Sequence, residues 1–153
     1  MKLTIICLVC ALVGMSQGLD LIGRWQSVGV RGTLMCGDKP MPNVYIKLWD
    51  EDTLDPDDQM ACARSDKDGN FEIKGKTKEI TTIDPYLKVY HDCNDKTLFG
   101  TVEKPCQRKW KVKIPSKYIT SGENPTTFYD NGIINMEAKQ AGESRNCEFI
   151  NDC

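Results

Sequence analysis

A chain of 153 residues with a formal net charge of −2 and 40% hydrophobic residues has the size of one compact domain, which excludes a multidomain enzyme and a long disordered protein. Its 20 basic and 22 acidic side chains nearly balance, so nothing in the charge points to nucleic acid. Eight cysteines in so short a chain make the redox compartment the first question.

The chain opens on Lys2 and an apolar run from Leu3 to Val13, closed by the small-residue stretch Gly14-Met15-Ser16-Gln17-Gly18. A positive start, a short apolar middle and small residues before a cut are the pattern of a secretory signal peptide, whereas about 20 apolar residues are needed to span a bilayer. Residues 1–18 are therefore expected to be removed, leaving a single soluble extracellular domain over 19–153 that does not span a membrane. Cys7 and Cys10 leave with the segment. The six that remain, Cys36, Cys62, Cys93, Cys106, Cys147 and Cys153, form an even set and predict three disulfides of open connectivity. Their wide spacing, with no Cys-x-x-Cys, argues against a zinc site.

Period-two patterns follow along the mature chain. Val28, Val30, Leu34 and Cys36 share one phase and Arg31, Thr33 and Met35 the other, before Gly37-Asp38-Lys39-Pro40 breaks the strand. Val44, Ile46 and Leu48 alternate with Tyr45, Lys47 and Trp49 in a second strand. An acidic loop then carries Asp50, Glu51, Asp52, Asp55, Asp57 and Asp58, and Met60 to Arg64 forms a third strand. Asp66-Lys67-Asp68-Gly69-Asn70 reads as a hairpin turn, because Asp-Gly tolerates the positive φ such turns need, and Phe71 and Ile73 continue beyond it. Residues 86–93 alternate Leu87, Val89 and His91 against Tyr86, Lys88 and Tyr90. The clearest alternation is in 108–115, where Trp110, Val112 and Ile114 oppose Lys109, Lys111 and Lys113. A last strand is expected over 132–138, and a polar tail from about 140. No sustained helical period occurs, so short strands with turns predict an all-β sandwich.

The strings Gly32-Thr33-Leu34-Met35-Cys36, Val44-Tyr45-Ile46-Lys47-Leu48 and Ser65-Asp66-Lys67-Asp68-Gly69-Asn70-Phe71 carry a resemblance, as do Ile83-Asp84-Pro85-Tyr86-Leu87, Tyr90-His91-Asp92-Cys93 and Cys106-Gln107-Arg108-Lys109-Trp110. With Ile114-Pro115-Ser116-Lys117-Tyr118-Ile119 and Gly142-Glu143-Ser144-Arg145-Asn146-Cys147, they make residues 25–147 similar to the nematode transthyretin-like family. The resemblance implies a transthyretin-like, immunoglobulin-like sandwich of two antiparallel sheets with about seven strands, stapled by disulfides. Cys36, Cys93, Cys106 and Cys147 match cysteines that recur in the family. The match implies pairing of Cys36 with Cys147, with Cys93 joined to Cys106 across a short loop, and leaves Cys62 with Cys153.

Catalysis and metal binding are both expected to be absent. The hydrolase branch of this fold uses several histidines and a C-terminal Tyr-Arg-Gly-Ser; this chain has His91 alone and ends Asn151-Asp152-Cys153. His91 shares its phase with Leu87 and Val89, so a core role is expected for it. Asp66-x-Asp68-Gly69 departs from a calcium loop, with glycine at the fourth position and Thr77 where glutamate would stand, and the acidic loop from Asp50 to Asp58 reads as solvated charge, weak calcium binding by its six carboxylates being the alternative. No cofactor is implied.

In a transthyretin-like sandwich the strands at 44–49, 86–91 and 109–114 share a sheet. Their outward residues then form one face holding Tyr45, Lys47, Trp49, Tyr86, Lys88, Tyr90, Lys109, Lys111 and Lys113. A basic, aromatic face on an acidic protein suits an anionic lipid surface or an acidic extracellular receptor, while the ordinary reading is a sheet surface on which lysine stems cover rings. The resemblance to the transthyretin-like family, one type of whose members bridges exposed phosphatidylserine to a receptor, implies non-enzymatic extracellular binding of that kind, with which this face is compatible. The alternative is a homo-oligomeric carrier of a small hydrophobic ligand.

Overall fold

The computed structural model describes residues 23–52, 56–97, 100–148 and 153, so the predicted signal segment and Asp55 lie outside the described residues. The strands are β1 (Arg24–Cys36), β2 (Lys39–Pro40), β3 (Tyr45–Asp50), β4 (Asp58–Arg64), β5 (Asn70–Glu79), β6 (Pro85–His91), β7 (Gln107–Lys113), β8 (Thr120–Ser121), β9 (Phe128–Asn135) and β10 (Glu143–Asn146). They form two sheets. In the first, β1 is the spine: β5 pairs with it antiparallel over Arg24 to Thr33, and β2, β8 and β9 pair with the rest of it. The second is antiparallel throughout, in the order β10-β7-β6-β3-β4.

The fold is the all-β sandwich read from the sequence, because strands with one apolar phase have to bury it against another sheet. Val28, Val30 and Leu34 of the first sheet meet Ile46, Leu48, Leu87, Val89 and Trp110 of the second, with Ile114 and Met136 closing the ends. Three details differ from expectation. The strand number among the described residues is ten because β2 and β8 are two-residue pairings and β10 falls in the stretch expected to be a polar tail. Gly142 makes β10 possible: with φ +80, it brings its backbone to a point where a Cβ would lie 2.7 Å from the Lys111 carbonyl oxygen. Second, β9 runs parallel to β1, the one parallel pairing among the described residues; the chain has already crossed to this sheet at β8, which pairs antiparallel with β1.

The turn at residues 66–70 is tight but does not close a hairpin. Asp66 Oδ1 accepts from the amides of Asp68 and Asn70, and Gly69 takes φ +79. The two arms then part, β4 pairing with β3 and β5 with β1, since ten paired residues on β1 outweigh a local hairpin.

The disulfide connectivity implied by the resemblance is corrected at two of its three pairs. Cys36 is joined to Cys93 and Cys106 to Cys147, so neither Cys93–Cys106 nor Cys36–Cys147 forms; the third bridge joins Cys62 and Cys153. Topology supplies the reason. Cys36 ends β1 and Cys93 follows β6, so that bridge ties the two sheets together. Cys106 and Cys147 flank Gln107 and Asn146, which are directly opposite across β7 and β10. Peptide mapping of non-reduced protein is expected to recover these three pairs, and a peptide joining Cys93 to Cys106 would refute the arrangement.

Candidate binding face

The outer face of the second sheet is set by register. Tyr45, Tyr90 and Lys109 stand opposite one another in one row, Lys47, Lys88 and Lys111 in the next, and Trp49, Tyr86 and Lys113 in the third. Side chains in one row of an antiparallel sheet share a face, so the three strands gather the basic and aromatic residues on one surface. Three lysines directly opposite one another repel, and the structure offsets this with acids from neighbouring loops. Lys88 Nζ lies 3.2 Å from Asp57 Oδ2, Lys111 Nζ 2.6 Å from Glu51 Oε1, and Lys113 Nζ 2.8 Å from Asp84 Oδ1. The hydrogen bond from Lys111 holds the Glu51 carboxyl below its ordinary pKa, and Asp84 holds the Lys113 ammonium above its own. Rings add to the compensation: Lys88 sits 4.3 Å from the Trp49 ring centre and Lys111 4.0 Å from that of Tyr86.

The face is not uniformly open. Lys47 is only 7% exposed and Tyr90 8%, contrary to a wholly solvent-facing surface. Cys62 is the cross-strand neighbour of Lys47, so the Cys62–Cys153 bridge brings the C-terminal residue to this side. Burial, with a further contribution from the nearby Glu148 charge, raises the Tyr90 hydroxyl pKa. The accessible basic part is therefore the β7 side, where Lys109, Lys111 and Lys113 run beside Tyr86. Among the described residues, no ion-pair partner is assigned to Lys109. The compensating acids were missed as partners in the sequence, although their position gave a signal: Glu51 and Asp57 flank the end of the lysine-bearing β3.

His91 lies on the inner side. It is 2% exposed, Nδ1 accepts the Cys93 amide at 3.3 Å, and burial together with the Arg108 charge lowers its pKa to about 4. A neutral imidazole sealed in the core presents no proton acceptor to a substrate.

A β-sandwich of two such sheets, with a basic aromatic outer face and an inward histidine, defines a class of small disulfide-stapled all-β modules. The model of the Transthyretin-like family matches residues 31–115, more than half of the chain. Three proteins of Caenorhabditis elegans are similar over most of their length. Transthyretin-like protein 5 is 45% identical over 96% of this chain and 99% of its own, and Transthyretin-like protein 33 is 49% identical over 80% and 82%. Transthyretin-like protein 2 is 44% identical over 89% and 92%. The chain belongs to the transthyretin-like family.

Proposed function

We propose that this protein is a secreted, non-enzymatic binding protein that engages phosphatidylserine-bearing or similarly anionic cell surfaces through the β7 side of its lysine-aromatic face and links them to a receptor. The observation that carries this reading is the register that sets Lys109, Lys111 and Lys113 along the accessible β7 side beside Tyr86, on a chain of net negative charge. Secretion is supported by three disulfides, which persist in oxidising compartments. The absence of catalysis is supported by the burial of His91. The pairs Lys111–Glu51 and Lys113–Asp84 do not block binding, because part-exposed ion pairs hold by only about 0–1 kcal/mol and a lipid phosphate can displace the acid.

Flotation with vesicles of phosphatidylserine and phosphatidylcholine tests this. The wild type is expected to float with anionic vesicles at low salt, less at high salt, and not with phosphatidylcholine alone. Three unpaired lysines would be worth roughly a hundredfold in affinity. With two of them already serving Glu51 and Asp84, the combined substitution Lys109→Gln, Lys111→Gln and Lys113→Gln should cost nearer tenfold, about 1.4 kcal/mol. Wild type that ignores anionic vesicles at low salt, or a triple variant that binds as well as its parent, would reject the reading.

A further inference from the structure

At the far end of β3, three carboxylates from two different sheets converge. One oxygen from each of Asp50, Asp52 and Glu79 lies within 4.8 Å of the others. Asp50 and Asp52 come from the end of β3 and the residues just after it, and Glu79 from the end of β5 in the opposite sheet. Asp50 is 1% exposed; its Oδ1 accepts the Asp84 amide at 2.7 Å, and its Oδ2 is buried with no hydrogen-bond partner. A buried carboxylate oxygen without a donor is costly unless a cation or a proton serves it.

We propose that Asp50, Asp52 and Glu79 form a calcium site that clips the end of β3 to the end of β5, joining the two sheets at the opposite end of β3 from its Tyr45 terminus. Oxygens sharing one calcium ion lie at most about 5 Å apart, since each sits about 2.3–2.6 Å from it. The observed span meets that limit. Magnesium demands near-ideal octahedral geometry and dehydrates reluctantly, which three carboxylates brought together from two sheets favour less than the flexible coordination of calcium. Asp52 and Glu79 are only partly buried, which leaves an approach for the ion and room for water to complete its coordination. The electrostatics agree. Burial raises the Asp50 carboxyl against the opposing hydrogen bond from the Asp84 amide, and the charges of Asp52, Asp84 and Asp58 push the same way as burial, so a divalent cation relieves all of them together. Glu51, between the two aspartates, turns to Lys111 on the outer face instead.

The test uses the disulfide-intact chain, with calcium, magnesium and terbium as probes. Calcium at about 5 mM, above the ~10⁻⁴–10⁻³ M range of extracellular sites, should raise the unfolding midpoint by a few degrees at pH 7, and magnesium should not. Terbium should bind with luminescence sensitised through Trp49, next to Asp50 in the chain, and be displaced by calcium. Asp52→Asn and Glu79→Gln, at partly exposed positions, should each weaken calcium binding at least tenfold, with the calcium response read against each variant's own calcium-free midpoint. Asp50→Asn should abolish binding, and if it fails to fold the other two variants decide the matter. A wild type indifferent to calcium and terbium overturns the site. So does an unchanged calcium response in the Asp52→Asn, Glu79→Gln double variant.

Discussion

Replacing Arg108 by methionine is expected to lower the free energy of unfolding by about 3–5 kcal/mol, the range for removing one partner of a buried ion pair. Arg108 is 8% exposed on β7, and its five N–H donors all find acceptors. Nε donates to Glu143 Oε1 at 2.7 Å and Nη2 to Glu143 Oε2 at 2.9 Å, a bidentate pair with β10. Nη1 donates to the carbonyls of Cys93 and Met136 at 2.7 and 2.9 Å, and Nη2 to that of Ala138 at 3.1 Å. One side chain thus ties together β7, β10, the end of β6 and the segment after β9. Burial alone would raise the Glu143 carboxyl, but the hydrogen bonds from Arg108 and the Gln140 amide outweigh it and leave the pKa below the ordinary value. That stability is present above the unfolded-state pKa and is lost as pH falls through the folded one. In the Arg108→Met variant Glu143 is stranded, so the deficit should shrink on acidification as the carboxyl takes a proton. Lysine at 108 should rescue little, because an ammonium cannot form the fork. Urea unfolding of Arg108→Met, Arg108→Lys and the wild type measures this, and a loss below about 1 kcal/mol would show that the network is dispensable.

The sandwich was legible in the sequence because its strands alternate so cleanly. The phase of 44–49, 86–91 and 108–115 separated the core-facing residues from the lysine rows, although Lys47 and Tyr90 of those rows are buried, and the structure pairs those three strands as neighbours. Periodicity reports one strand at a time, however, and is blind to what crosses a sheet. It could not show that the arms of the 66–70 turn join different sheets, that Cys36 meets Cys93, or that Glu51, Asp57 and Asp84 fold back on the lysines. The same limit hid Arg108. Gln107 and Arg108 break the apolar pattern, so they stood out only as part of the Cys106–Trp110 string, with no partner to explain them. Asp50 was read as one of several solvated loop charges, yet the pairing of β3 with β6 places it opposite Pro85 and buries it.

Stability is expected to fall by about 3 kcal/mol between pH 6.5 and pH 4 through His91 alone, and the substitution His91→Asn should remove that dependence. The folded-state pKa is lowered from 6.5 to about 4, first by burial and then by the Arg108 charge, with Glu143, Asp92 and Asp95 opposing. Because the folded value is depressed, the unfolded chain binds the proton first as pH falls. The contribution is therefore complete above pH 6.5, decays through the window and is exhausted near pH 4. The Glu51, Glu143 and Asp95 carboxyls, whose folded values are lowered, act from the ordinary carboxylate value downward and leave the upper part of the window to His91. Asp50 runs the other way, since its raised pKa makes acidification favourable to the fold, and it contributes equally to wild type and variant. The difference between the two proteins thus isolates the imidazole. Asparagine is the informative replacement because its side-chain oxygen can still accept the Cys93 amide that Nδ1 accepts, whereas phenylalanine would orphan that donor beside the Cys36–Cys93 bridge. Asparagine also brings no second polar group to the buried Nε2 position, which has no hydrogen-bond partner. Urea unfolding at pH 7, 5.5 and 4 supplies the comparison. Parallel profiles for wild type and His91→Asn would mean that His91 is accessible to protons in the folded protein, and the sealed core around it would have to be abandoned.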